Sequence, residues 1–210
     1  MRKIFLATIF ALMFTVQNFC GAAATVDEVI FNGNEKLKYP IVHTGNSAVD
    51  KKINRVLDGI TQNFVMEVNT DRREHGINIT VENSGFQIMC NGAKNSNVLS
   101  MILYQSKYGS NGPAHPTNYS HALNFDLSTG ERLKTSDLAK FGYGDSNSLF
   151  QKLSLKLKDY VAARNIKNMS EPKSLPENFY FDEDFHLHFL FEQNSIAHYA
   201  YGAIDIDMDK

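Results

Sequence analysis

VLSMILYQSKYGSNGPAHPTNYSHALNFDLSTGERLKTSDL (Val98–Leu138) decides the fold. Val98 to Tyr108 carries apolar side chains on both faces, which predicts a central strand. Gly109 to Asn118 is dense in Gly, Pro, Asn and Ser and reads as a loop. The next strand sorts its side chains by face. Tyr119, His121, Leu123, Phe125 and Leu127 point one way; Ser120, Ala122, Asn124 and Asp126 point the other. Ser128-Thr129-Gly130 turns the chain, and Thr135 to Lys140 reads as a short helical segment.

Upstream, Ile77, Ile79 and Val81 alternate with polar residues, Asn83-Ser84-Gly85 reads as a turn, and Phe86, Ile88 and Cys90 form a second short strand. This register puts Cys90 on the Phe86/Ile88 face, as a buried, inert thiol. Further back, Asn46 or Ser47 caps a helix, with Asp50 placed as in a capping box. Its apolar stripe is Val49, Ile53, Val56, Leu57, Ile60 and Phe64. Asp71 to His75 reads as a charged loop closed by Gly76. Thr25 to Val42 is extended, and Pro40 suggests an edge position.

Downstream, Asp145 or Ser146 caps a second helix with a Leu149, Leu153, Leu157, Tyr160/Val161 stripe. Asn165 to Asn178 is a loop. Phe185, Leu187, Phe189 and Phe191 alternate with Asp184, His186 and His188, and Ile204, Ile206 and Met208 alternate with Asp205 and Asp207. One-faced strands joined by short turns predict an α+β fold, with antiparallel β-sheets and two amphipathic helices packed on one face. The chain divides into an N-terminal α+β half, residues 25–110, and a C-terminal half, 111–210.

Residues 1–24 are expected to be a signal peptide. Arg2 and Lys3 precede an apolar run from Ile4 to Val16, and Gly21 to Ala24 supply the small residues of a cleavage site. Cys20 raises a lipid-anchor alternative, which Asn18 and Phe19 disfavour. The mature chain is expected to be exported, periplasmic or extracellular, with no transmembrane segment. It would hold 19 Lys and Arg against 23 Asp and Glu, a formal charge of −4. That balance argues against nucleic acid and suits a cationic partner. Cys90 alone would remain, so no intrachain disulfide or zinc-type cysteine cluster is expected.

The candidate binding residues are His115, in the Gly112–Pro116 loop, and the polar strand positions Asn124, Asp126, His186 and His188. If their strands share a sheet with Asp205 and Asp207, they form one open acidic and histidine face. His-x-His spacing also occurs in metal sites, but an ordinary wet sheet face is the simpler reading, and no metal or cofactor is expected. Asp182-Glu183-Asp184 reads as a solvated turn. No nucleophile elbow, phosphate loop or metalloprotease helix is present, so no catalytic residue is assigned.

Three stretches carry a family resemblance. YPIVHTGNSAVDKKINRVL (Tyr39–Leu57), the Tyr108–Leu138 segment and HFLFEQNSIAHYAYGAIDIDM (His188–Met208) together resemble the extracellular domain of RsiV-type anti-sigma factors, also attached to PdaC-type peptidoglycan deacetylases. Gly112-Pro113 departs from that family's paired glycines. The resemblance implies a two-part α+β architecture outside the cell and a non-enzymatic, sensor-like binding role. The partner it implies is lysozyme or another cell-envelope component such as peptidoglycan. Two alternatives stay open. One is a glycan hydrolase or deacetylase-associated accessory, with His115 and Asp126 as candidates; the other is an envelope structural protein.

Overall fold

The computed structural model describes residues 23–75, 78–92, 96–109 and 115–210. The expected leader therefore lies outside the described residues except for Ala23 and Ala24, as does Gly112-Pro113-Ala114. Among these residues the order is β1 (Thr25–Ile30), β2 (Lys38–His43), α1 (Ser47–His75), β3 (Ile79–Asn91), β4 (Val98–Gly109), β5 (Thr117–Asp126), α2 (Ser146–Arg164), β6 (Phe179–Phe181), β7 (Leu187–Phe191) and β8 (Ile204–Asp207). The strands form antiparallel sheets β1-β2, β3-β4-β5 and β6-β7-β8. The fold is α+β, and each long helix covers one face of its own three-stranded sheet.

Helix α1 begins at Asn46, whose side chain accepts from Ala48 N. Asp50 does not close a capping box; its carboxylate takes the Thr44 backbone N–H at 2.7 Å and the Thr44 hydroxyl at 2.6 Å. Val49, Ile53 and Leu57 pack against Leu99, Met101 and Leu103 of β4 and Leu123 and Phe125 of β5. The helix continues through Asp71–His75, which were expected to be a loop. Tertiary contacts account for the extra turns: Lys107 on β4 bonds Glu67 and Asp71, and Arg72 donates to Ile79 O.

The Asn83-Ser84-Gly85 turn is also corrected. β3 runs unbroken through it, paired with β4 from Ile79↔Gly109 to Asn91↔Leu99. Two bulges, at Glu82 and Met89, absorb the local irregularity. Ser84 is buried and its hydroxyl donates to Lys38 O of β2. The Met89 bulge also turns Cys90 over. Cys90 is buried as expected, but it packs with Val98 in the α2-side core, away from Phe86 and Ile88.

Asp145 caps α2, accepting from Asn147 N and Ser148 N. Leu149, Leu153 and Leu157 meet Phe179, Phe181, Phe189 and Ile206 on the inner face of β6-β7-β8. Strand β6 has no counterpart in the sequence pattern. The strand expected from Phe185 begins only at Leu187, because Phe185 has φ +67° in the turn and stacks on Phe181 at 4.4 Å. β4 and β5 pair from Val98↔Asp126 to Lys107↔Thr117, so the expected 110/111 division falls between two strands of one sheet. The two three-stranded sheets meet through Ile102, Ala122, Tyr180 and Leu190.

Candidate functional site

The joint between the sheets places the most distinctive side chains. Tyr180 pairs across the ladder with His188, and His188 with Asp207. All three therefore stand on the outer face of β6-β7-β8, and Asp205, two residues before Asp207, shares that face. His188 stacks on the Tyr180 ring at 4.6 Å. Its Nδ1 lies 3.0 Å from Asp205 Oδ1, and the Tyr180 hydroxyl donates to Asp205 Oδ2 at 2.5 Å. Its Nε2 is shut off from solvent, makes no hydrogen bond, and faces Asp182 at 3.5 Å and Asp207 at 3.8 Å. His186 Nδ1 lies 3.4 Å from Asp182.

Charge follows from this geometry. Burial opposes the His188 imidazolium, but the Asp205 bond and charge, with Asp207 and Asp182 behind it, hold its pKa above the ordinary histidine value. Burial raises Asp207, but the Asp209 and Lys210 N–H groups, the Lys210 ammonium and His188 together lower it to about 2. Burial first and Asp205 second push the Tyr180 phenol upward, so it remains a donor. Tyr104 of β4 completes the face. It is 38% exposed, donates to Gln87 Oε1 at 3.2 Å, and has its pKa raised by burial and by the Asp205 charge. Tyr104 is the exposed ring of the two; Tyr180 is buried beneath the carboxylate it bonds. Among the described residues, no group of three or more His, Cys, Asp or Glu is arranged to hold a metal ion.

Of the sequence candidates, only His186 and His188 come together. Asn124 is 1% exposed and sits in the joint between the sheets. Its Oδ1 accepts from the Ser100 hydroxyl and its Nδ2 donates to Phe179 O, so it has no surface to offer a partner. Asp126 closes the Ser128-Thr129-Gly130 turn, accepting from Ser128 N at 2.7 Å. His115 is exposed and stacks on Tyr199 at 4.6 Å, at the far loop. Beyond that loop, a cavity of about 490 Å³ is lined by Lys167, Asn168, Asn194, His198 and Tyr201 among others. The sequence pattern does not mark Asp182, Tyr104 and Tyr180 as binding residues. Asp182 stood inside an ordinary-looking acidic turn, Tyr104 in a two-faced apolar strand, and Tyr180 in a strand too short for periodicity to mark.

No protein-family model matches the chain, and no curated protein is significantly similar to it. Solved structures share its fold. A DUF3298-family protein from Bacteroides fragilis is 17% identical, with a TM-score of 0.51 over 89% of this chain and 90% of that one. A DUF3298-family protein from Pseudomonas aeruginosa is 13% identical, with a TM-score of 0.54 over 88% of each chain. At these identities the likeness speaks for the fold. Among the described residues no helix is long and apolar enough to cross a membrane.

Proposed function

We propose that this chain is an exported, non-enzymatic binding domain of the RsiV type. It engages a cationic protein, with lysozyme as the model partner, on the outer face of the C-terminal sheet. One observation carries the reading: the partly exposed Asp205 and Tyr104, with the buried Tyr180 holding the Asp205 carboxylate from below, form an acidic and aromatic patch where the two sheets meet. Tyrosine supplies contact area at low entropic cost, and carboxylates steer a basic partner.

Calorimetric titration of the mature chain with a c-type lysozyme, at low and moderate salt, tests it. Saturable binding that weakens with salt and is lost in Tyr104→Ala is the expected result. Absence of binding at both salts would sink the lysozyme reading. A second reading, cell-wall glycan, is supported by the cavity beside Tyr201, whose mixed lining offers amides, an ammonium and an aromatic ring. Binding of soluble peptidoglycan fragments that is lost in Tyr201→Ala would favour it.

A further inference from the structure

We propose that Asp205 anchors a basic side chain of the partner and that His188 competes for the same carboxylate, so that partner binding expels one proton. The inference rests on the binding reading above and adds the anchoring atom and its control. Asp205 is the one hub carboxylate that combines exposure with aromatic walls. Its side chain is 44% exposed, against 21% for Asp182 and 17% for Asp207. Tyr180 stands on one side of it and Tyr104 lies close enough to feel its charge. In the structure, however, one oxygen is taken by the Tyr180 hydroxyl and the other by His188 Nδ1.

The ring is held from every side. Tyr180 of β6 stacks on it, Asp182 of the following turn and Asp207 of β8 face its Nε2, and Asp205 faces its Nδ1. His186 shares Asp182, and Lys210 lies 3.0 Å from Asp207. With both nitrogens protonated, each N–H meets a carboxylate. When one proton leaves for solvent, one nitrogen becomes a lone pair facing an anion. If Nδ1 loses the proton, Asp205 Oδ1 is released outright. If Nε2 loses it, Asp182 and Asp207 gain an uncompensated charge. In either case the face becomes more negative by one unit, and an incoming guanidinium or ammonium replaces the lost countercharge. Linkage then runs both ways: the bound cation lowers His188's proton affinity, and protonation weakens the cation's binding.

The probe is an oligo-arginine peptide. The His188 ring is titrated by NMR with and without the peptide, and peptide affinity is measured by calorimetry. Peptide affinity is expected to rise about tenfold from about pH 6 to about pH 8, with the His188 midpoint lower when peptide is bound. Asp205→Asn removes the response, and His188→Gln binds equally at both pH values. An unchanged His188 midpoint, or full affinity in Asp205→Asn, overturns the proposal. If His188→Gln does not fold, the wild-type ring titration decides alone. Lysozyme separates the two readings. A peptide response without lysozyme binding supports this inference and removes lysozyme as partner. Lysozyme binding without any peptide response overturns this inference and leaves the binding domain standing.

Discussion

Two clusters in this molecule share one plan. Around Lys107, the ammonium bonds Glu67 and Asp71 of α1, the Tyr119 hydroxyl donates to Glu67 at 2.5 Å, and Lys107 lies 5.8 Å from the Tyr119 ring. Around His188, the imidazole meets Asp205, Asp182 and Asp207, the Tyr180 hydroxyl donates to Asp205 at 2.5 Å, and the ring stacks on Tyr180. Each is a cation between carboxylates with a tyrosine against it. The difference is the cation. Burial opposes the Lys107 charge, but Asp71 and Glu67 hold its pKa above the already high lysine value, so the ammonium keeps its charge at neutral pH. Burial opposes the His188 charge too, but its carboxylates hold its pKa above the ordinary histidine value, and an imidazole can still lose its proton within the physiological range. The permanent cluster ties the end of α1 to β4; the conditional one lies on the outer face of β6-β7-β8.

The largest effect expected from breaking this symmetry is Lys107→Met. It leaves two carboxylates and a tyrosine without their countercharge and costs about 3 kcal/mol in urea denaturation, equally at about pH 6 and about pH 8. A smaller loss under urea at either pH would mean that water already solvates Glu67 and Asp71. Next comes an uncharged comparator. Asn124→Ala removes the bonds to Ser100 and Phe179 between the sheets and costs about 1–3 kcal/mol, with no pH dependence.

His188→Gln is smaller and conditional. Its pKa is raised in the folded state, so its stabilisation is full below the unfolded pKa of about 6.5 and is lost as pH rises through the folded value. The deficit of the variant is therefore largest at about pH 5.5 and shrinks towards about pH 8.5. A constant deficit across that range, read from melting curves, would show that packing on Tyr180 matters and charge does not. The smallest effect is at the exposed Lys52–Glu131 pair, 2.6 Å apart with both side chains more than half exposed. Lys52→Ala should change stability by less than about 0.5 kcal/mol in the same melts.

Local chemistry made some of this legible. The Asp145 cap of α2, the α1 stripe from Val49 to Phe64 and the alternation along β5 are set by neighbours in the chain, and the structure keeps them. The errors share a cause. Asn83-Ser84-Gly85 has the composition of a turn, yet β4 supplies a partner for nearly every residue of β3, and ladder pairing overrides turn propensity. Asp71 to His75 reads locally as a charged loop, but Lys107, far away in sequence, pairs with Asp71 and the helix runs on to His75. β6 has three residues and acquires its conformation from β7, with which it pairs, and from Asn124 and Ser100 of the other sheet, which bond Phe179 O and Phe181 N.

The candidate site divides in the same way. His186 and His188 could be placed on one face with Asp205 and Asp207 because alternation is a local property. Whether Asn124 and Asp126 joined them depended on which sheet β5 entered. β5 pairs with β4, and that choice sent Asn124 into the interior.

By itself, the amino-acid order determined the α+β class, both amphipathic helices, the polar and apolar faces of most strands, and a slight excess of acidic over basic residues. These follow from spacings of two to four residues and from composition, which need no knowledge of distant neighbours. Only the tertiary structure decided that β3 is continuous, that Cys90 changes cores at a bulge, and that Tyr104, Tyr180, Asp205 and His188 form one patch. Those outcomes depend on pairing between segments dozens of residues apart, where long-range hydrogen bonds and charge compensation outweigh local preference.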